Sequence, residues 1–216
     1  MDLKRKYDEL IAKHGKQGWW PLMEVKGCNP TKTGSHRGYH PGDYSYPKNE
    51  RQRFEICVGA ILTQNTSWTN VEKALANLYE INCLKPESIA AMEDEKLKEA
   101  IRPSGYFNQK AKKLKVFAEF FLGLKGNPGR DELLQLWGIG PETADSILLY
   151  AYKVPVFVVD AYTRRIFSRL GIIGKNDNYE KIRGVFEENL PGDYRILQEY
   201  HALIVEEAKN LPPNNG

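Results

Sequence analysis

Cysteine is scarce in this sequence, and long apolar runs are absent from it. The 216 residues include three cysteines, Cys28, Cys57 and Cys83, with no C-x-x-C pair among them. This spacing argues against a disulfide framework and against a cysteine-ligated metal site, and it fits a reducing cytoplasm. No apolar run approaches the roughly 20 residues that span a bilayer. We therefore expect a soluble cytoplasmic protein without membrane contact.

Charge of one sign is not in large excess either. The 31 basic and 28 acidic residues give a formal net charge of +3, which permits a polyanionic partner without requiring one. The four histidines show no spacing typical of metal ligands, so we expect no metal. They are His14, His36, His40 and His201. Apolar residues make up 41% of the chain, enough for a core in one domain or in two small lobes.

Apolar residues recur at intervals of three and four through most of the chain after residue 53, which predicts a series of helices. The run Val71, Leu75 and Leu78 shows this spacing, and breakers such as Lys85-Pro86 separate the periodic segments. Further helices are predicted over residues 161–170, 179–190 and 193–210.

Two segments lack the helical spacing. Residues 26–53 are rich in Gly, Pro, Tyr and basic side chains, as in GSHRGYHPGDYSYP, and predict a long irregular loop. That loop could be a lid over a binding site or a mobile surface element. Residues 154–159 resemble a strand, but without an obvious partner strand they fit an extended connector. The expected fold class is all-α.

A short glycine-containing turn stands between two predicted helices. Gly138, Ile139 and Gly140 separate a helix over residues 131–137 from a helix that begins at Pro141, a position where proline loses no needed donor. Turn amides and the positive end of the second helix would form an anion site suited to phosphate and indifferent to base sequence. An ordinary corner between two packed helices is the alternative.

Asp160 follows the apolar pair Val158-Val159 and precedes a predicted helix, so we expect it at the N-cap of that helix. Capping alone would explain an aspartate here. A carboxylate close to a phosphate-binding turn could also stabilise positive charge on a deoxyribose and orient water, as carboxylates do in glycoside hydrolysis.

These motifs together resemble the helix-hairpin-helix DNA glycosylase superfamily that includes endonuclease III. The pattern L-x-G-I-G-x-x-T-A, followed by Val-Val-Asp160, carries the likeness, and GAILTQNTSWTNVEKAL and RPSGYFNQKAKKL precede it in the same order. The resemblance implies two helical lobes with a DNA groove between them. One is a six-helix barrel over residues 54–157 that contains the hairpin (131–152), and the other combines residues 1–53 and 158–216.

The resemblance also implies roles for individual residues. Asp160 would be the catalytic aspartate, Gln64 would fill the space left by a flipped base, and the hairpin would hold DNA phosphate. The hairpin residues concerned are Gly138, Ile139, Gly140 and Thr143. Tyr106 and Lys110 could touch the phosphate backbone or belong to a solvated helix start.

Two departures from the family pattern refine the expected chemistry. In bifunctional members a lysine after the hairpin attacks the sugar, but the matching position here is Glu142, and no lysine lies between Gly126 and Lys153. A monofunctional enzyme that uses water is therefore expected. The four-cysteine iron–sulfur loop of the family is also missing, since the tail EYHALIVEEAKNLPPNNG contains no cysteine. We expect no cofactor.

The segment QGWWPL supplies candidates for the base pocket. Flat side chains can hold a flipped base, and a cationic alkylated purine would gain about 0.5–2 kcal/mol from stacking on indole. Together with HALIVEEAK (residues 201–209), this segment resembles the 3-methyladenine glycosylases of the superfamily. The expected pocket residues are Trp19, Trp20, Pro21, Glu142 and Lys209. Alternatively, the tryptophans only anchor the N-terminal helix to the core.

The favoured function is a monofunctional, monomeric DNA glycosylase of base excision repair that acts on duplex DNA containing damaged bases, with alkylated purines such as 3-methyladenine as substrates. A mismatch or oxidised-pyrimidine glycosylase of the same fold is an alternative. A non-catalytic DNA-binding protein in which Asp160 serves only as a cap is another.

Overall fold

The computed structural model describes residues 2–31 and 37–210, and these form an all-α fold, as the sequence predicts. Within those ranges the extended backbone pairs once, in an isolated antiparallel bridge between Cys28 and Arg37. Part of the predicted loop, including Lys32 and His36, lies outside the described residues. The helices are α1 (Leu3–His14), α2 (Glu50–Leu62), α3 (Trp68–Glu80), α4 (Pro86–Ala91), α5 (Asp94–Ile101), α6 (Phe107–Gly123), α7 (Arg130–Gln135), α8 (Pro141–Ser146), α9 (Ala161–Arg169), α10 (Tyr179–Asn189) and α11 (Tyr194–Lys209).

Short polar side chains start several of these helices. Asp2, Asn49, Asp160, Asn178 and Asp193 each accept a hydrogen bond from a backbone N–H in the first turn of the helix that follows. Such caps satisfy donors that a helix cannot pair internally. The cap at Asn49 corrects one prediction, because the irregular segment ends there and residues 50–53 already belong to α2.

The elements around the hairpin are close to their predicted bounds. Helix α7 ends at Gln135, two residues before the predicted end at Trp137, and α8 begins at Pro141 as expected. A π-helical turn, Ile147–Ala151, continues α8. Residues 154–159 then run as an extended connector without a partner strand among the described residues, so that prediction is confirmed.

Helix packing forms two groups. Helices α2 to α8 pack on one another, and α2 is buried along nearly its whole length. Helices α1, α9, α10 and α11 form the second group, and α11 also contacts the π-helical turn of the first. The lobe boundaries at 54 and 157 stay predictions. No helix in the part of the chain that the structure describes is long and apolar enough to cross a membrane.

A buried ion-pair cluster ties the hairpin to α10. Asp145 of α8 is fully buried and accepts two hydrogen bonds from Arg130 of α7, at 2.6 Å from Nε and 3.1 Å from Nη2. Arg183 of α10 approaches the same carboxylate at 3.8 Å, and Glu180 accepts from Arg130 at 2.8 Å. Hydrogen bonding to Asp145 raises the pKa of Arg130. The cluster therefore fixes the hairpin relative to the C-terminal helices.

Candidate active site

A cavity of about 390 Å³ lies where the N-terminal segment, the α2–α3 loop, α8, the start of α9 and α11 meet. Eight of the residues singled out in the sequence line it: Trp19, Trp20, Pro21, Gln64, Glu142, Thr143, Asp160 and Lys209. Tyr39, Trp68 and His201 also line it. Tertiary structure thus brings together side chains that are up to 190 positions apart in the chain.

Asp160 occupies the N-cap of α9 and faces this cavity. Its Oδ1 accepts a hydrogen bond of 2.7 Å from the Thr163 N–H, and its Oδ2 lies 3.5 Å from Nε2 of His201. Burial acts to raise the pKa of Asp160, but His201 and Thr163 outweigh it and hold that pKa below its ordinary value. A carboxylate that is both buried and ionised can stabilise a cation formed beside it.

Glu142, from the first turn of α8, lines the same cavity. Glu142 keeps contact with solvent, and its pKa is raised first by partial desolvation in the cavity and then by the negative charge of Asp160. Two acidic groups in one cavity thus have pKa values pushed in opposite directions, an arrangement typical of catalytic sites. The lysine of the cavity, Lys209, donates to Glu206 at 3.2 Å.

Aromatic rings form one wall of the cavity. Trp20 is buried and packs edge-to-face on Trp68 and Tyr150, with ring centroids 5.2 and 5.1 Å apart. A Cβ added at Gly59 would lie 2.8 Å from Nε1 of Trp20, so only glycine lets this indole reach α2. Trp19 is half-buried. Trp20 therefore both anchors the N-terminal segment to the core and lines the cavity.

The described part of the irregular segment belongs to this wall. The N–H of Leu22 donates to the Gly38 carbonyl and the N–H of His40 donates to the Gly18 carbonyl, each at 3.1 Å. Tyr39, between these bonds, is buried and faces the cavity. Tyr39 was not predicted as a pocket residue, and its one signal in the sequence is its place in a glycine- and proline-rich loop.

Two buried carboxylates hold the ends of the tryptophan segment. Glu199 of α11 accepts from the Gln17 N–H at 2.5 Å, and Glu55 of α2 accepts from the Met23 N–H at 2.6 Å. Glu199 also accepts from the Tyr44 hydroxyl at 2.7 Å. The segment that carries the two tryptophans is thus held by both helix groups. Burial raises the pKa of Glu55 to about 7.

Replacing Glu55 by Gln is expected to stabilise the protein at neutral pH. The folded-state pKa of Glu55 is raised above its unfolded value near 4.5. Its stabilising contribution is therefore full below about pH 4.5 and is lost as pH rises through about 7. Glutamine keeps an oxygen for the Met23 N–H but carries no charge to desolvate, which favours the variant by about 1–3 kcal/mol above pH 7.

Urea unfolding at pH 5 and pH 8 checks this expectation. The stability difference between Glu55→Gln and wild type should appear at pH 8 and shrink at pH 5, whereas Glu55→Ala should be destabilised at both because the Met23 N–H loses its acceptor. An equal difference at both pH values would contradict the expected titration.

The hairpin turn has the geometry that its glycines imply. Gly138 has a φ of +84°, and a Cβ there would lie 2.5 Å from Cε of Lys113, so another residue would be strained. Ile139 is buried, while a Cβ at Gly140 would meet nothing within 4 Å. Because no atom lies within 4 Å of this position, a phosphate could closely approach the backbone of Gly140 at the N-terminus of α8.

Gln64 joins the α2–α3 loop to this hairpin. Its Nε2 donates to the Gly138 carbonyl at 3.1 Å and to Oγ1 of Thr143 at 3.0 Å, and its Oε1 accepts from Lys113. The side chain is therefore ordered at the edge of the cavity rather than solvated. Its role as a wedge stays a prediction.

The sequence-based expectation for Lys110 needs correction. Lys110 is buried and donates to the carbonyls of Leu62 and Ser104 at 2.8 and 2.7 Å, so it does not reach a phosphate. Burial, with a smaller effect of Lys113, lowers the pKa of Lys110 to about 8. Tyr106 beside it is 67% exposed and stays a candidate for contact with DNA.

The chain is similar over most of its length to known DNA repair proteins. A family model described as HhH-GPD superfamily base excision DNA repair protein matches residues 58–192. A Methanocaldococcus jannaschii protein provisionally named a DNA repair glycosylase is 43% identical, covering 95% of this chain and 86% of the relative. Endonuclease III of Thermotoga maritima is 31% identical, covering 68% of this chain and 71% of that protein.

A solved structure shows the same fold. The H. pylori 3-methyladenine DNA glycosylase, crystallised with 1,N6-ethenoadenine, superposes with a TM-score of 0.76 at 28% identity, covering 97% of this chain and 98% of the other. The fold and these likenesses define the class of the protein as a helical DNA glycosylase. The chain belongs to the HhH-GPD superfamily of base excision DNA repair proteins, which confirms the resemblance seen in the sequence.

Proposed function

We propose that this protein is a monofunctional glycosylase that releases alkylated purines, with 3-methyladenine as the reference substrate, from duplex DNA. The observation that carries the proposal is the placement of an ionised, buried Asp160 in a cavity walled by tryptophan and tyrosine. Alkylation at a ring nitrogen makes the base cationic, so the aromatic wall favours it by cation–π attraction. The base is flipped out of the duplex to enter.

The proposed reaction follows from the charges in this cavity. The C1′–N bond breaks with its electron pair passing to the base, which leaves as a neutral molecule because it began as a cation. Asp160 stabilises the oxocarbenium-like sugar, water adds to C1′, and the proton of that water passes to the carboxylate. A leaving group that needs no proton suits a site whose carboxylate, Asp160, is held ionised.

Similarity supports the substrate class. The likeness to the H. pylori 3-methyladenine DNA glycosylase, solved with bound 1,N6-ethenoadenine, extends over nearly the whole of both chains. The tryptophan pair, Lys209 and Glu142 all line the cavity where a purine would bind. We assign the base pocket to Trp19, Trp20, Pro21, Glu142 and Lys209, the wedge to Gln64 and the phosphate contact to Gly138–Gly140 and Thr143.

Base release tests the substrate. Duplex DNA treated with a methylating agent is expected to lose free 3-methyladenine, without direct strand breaks, when incubated with the protein. Released bases are followed by chromatography and strand breaks by gel electrophoresis. Release of thymine or uracil from mismatches, or of oxidised pyrimidines, with no methylated purine would favour another glycosylase of the same fold, and no release at all would favour a binding protein.

Borohydride trapping tests the monofunctional chemistry. Wild type is expected to give no covalent DNA adduct, because Glu142 stands where bifunctional relatives carry the attacking lysine and a carboxylate forms no Schiff base. Glu142→Lys, which places an amine in the cavity that holds Asp160, should give a trapped adduct. A wild-type adduct that disappears in Lys209→Met would instead assign lyase chemistry to Lys209.

A further inference from the structure

His201 of α11 is the basic side chain that lies against Asp160. Its Nε2 lies 3.5 Å from Oδ2 of Asp160, just outside standard hydrogen-bond geometry, and this buried nitrogen has no other polar partner among the described residues. The ring is buried, and Trp19 packs against it edge-to-face with centroids 5.8 Å apart. The orientation of this imidazole is therefore fixed between the carboxylate and the aromatic wall.

Tyr150 contacts the other nitrogen of the same imidazole. Its hydroxyl lies 2.8 Å from Nδ1 of His201 and 3.1 Å from the carbonyl of Gln198. Burial raises the pKa of Tyr150 well above its ordinary value, so the phenol keeps its proton. That single proton can be donated to one of the two acceptors, and the choice determines the tautomer of His201.

If the phenol donates to Nδ1, the neutral imidazole carries its proton on Nε2 and points it at Asp160. If the phenol donates to Gln198 instead, Nδ1 must carry a proton, and Nε2 can donate to Asp160 only as an imidazolium. The first arrangement is favoured because it lets a neutral ring present a proton, rather than a lone pair, to Asp160, while the 2.8 Å contact with Nδ1 is a hydrogen bond in both. It also leaves the negative charge of Asp160 uncancelled, which a forming sugar cation requires.

We propose that His201 is a positioning residue for Asp160, held by Tyr150 as the neutral tautomer that donates its Nε2–H to the carboxylate. This proposal rests on the proposed function for its catalytic consequence. The donated hydrogen bond keeps Asp160 ionised although the carboxylate is buried beside aromatic side chains, and it fixes the position of Oδ2. An imidazolium at this position would cancel the carboxylate charge and repel a cationic base.

Other ionisable groups share this environment. Glu142 of α8 interacts with both Asp160 and His201, and Arg164 of α9 interacts with Glu142. Glu199 of α11 acts on Tyr150 through its charge, as Asp160 does. Lys209 of α11 lines the same cavity. The pH dependence of the site therefore belongs to this set of groups, and variants at His201 and Tyr150 isolate the part that the imidazole contributes.

Nitrogen NMR of the free wild-type protein tests the tautomer without substrate. The ¹⁵N shifts of His201 at pH 8 are expected to show a protonated Nε2 and an unprotonated Nδ1, and Tyr150→Phe should increase the Nδ1-protonated form. A wild-type ring protonated at Nδ1 would overturn the proposal whether or not the enzyme releases alkylated bases.

The pH profile of single-turnover base release tests the catalytic consequence. In His201→Leu the acid limb is expected to move upward by about one to two pH units, the loss of one charge-assisted hydrogen bond. His201→Gln, whose amide can donate to Asp160, should restore most of the shift. The control is His14→Gln, because His14 pairs with Glu207 and does not line the cavity. An acid limb unmoved in His201→Leu, with base release otherwise intact, would overturn the proposal and leave the glycosylase function standing.

Discussion

Asp160→Asn is expected to lower the single-turnover rate of base release by about 10²- to 10³-fold, the cost of removing one preorganised electrostatic contact from a catalytic site. Asparagine has the same shape and keeps an oxygen for the Thr163 N–H, so the cap of α9 survives. What the variant loses is the negative charge beside the breaking bond. Its melting temperature and its affinity for undamaged DNA should stay close to the wild-type values.

Asp2→Asn is the matched control, since Asp2 caps α1 in the same way and does not line the cavity. Asp160→Ala adds a structural loss of about 1 kcal/mol, because alanine cannot cap the helix. If Asp160→Asn released bases at the wild-type rate, the aspartate would be only a cap and the proposed chemistry would be wrong.

The pH dependence of Asp160 has a definite sign. Burial acts to raise its pKa, but the contacts with His201 and Thr163 outweigh burial and hold the pKa below the ordinary value of an aspartate. Base release is therefore expected to be maintained above that pKa, where the carboxylate is ionised. As the pH falls below that pKa, the carboxylate takes a proton and release is expected to stop, whereas the residual rate of Asp160→Asn should show no such acid limb.

Asp145→Asn is expected to destabilise the fold by about 3–5 kcal/mol, because it leaves Arg130 and Arg183 close to a neutral group in a buried position. Asp145 is fully buried and accepts two hydrogen bonds from Arg130. Urea unfolding measures the change, and the denaturant midpoint should fall without a large change in the slope.

Glu99→Gln provides the comparison. Glu99 pairs with Arg102 at 3.2 Å, but both side chains are mostly exposed, and such surface pairs contribute about 0–1 kcal/mol. Equal effects of Asp145→Asn and Glu99→Gln would show that burial of the Arg130–Asp145 pair does not govern its contribution.

Local sequence determined a large part of this protein. The three-and-four spacing of apolar residues sets the helices, because one face of each must be buried. The starts of four helices follow from single residues. Asp160, Asn178 and Asp193 accept hydrogen bonds from backbone N–H groups in the first turns of α9, α10 and α11. Pro141 begins α8 and has no backbone N–H that would be left unpaired there. The hairpin turn could also be predicted from the sequence, because the positive φ at Gly138 excludes most other residues.

Only the tertiary structure showed the contacts between residues that are distant in the sequence. Lys110 reads in the sequence as a surface cation near a helix start, yet the fold buries it against two carbonyls. The contacts of His201 and of the clamps Glu55 and Glu199 carry no local signal, since each partner lies 20 or more residues away in the chain. Asp160 was assigned from its motif, but its ionised state depends on an imidazole 41 positions later. Hydrogen bonds and charges act through space, so a site assembled from six distant segments is specified by the packing of the helices.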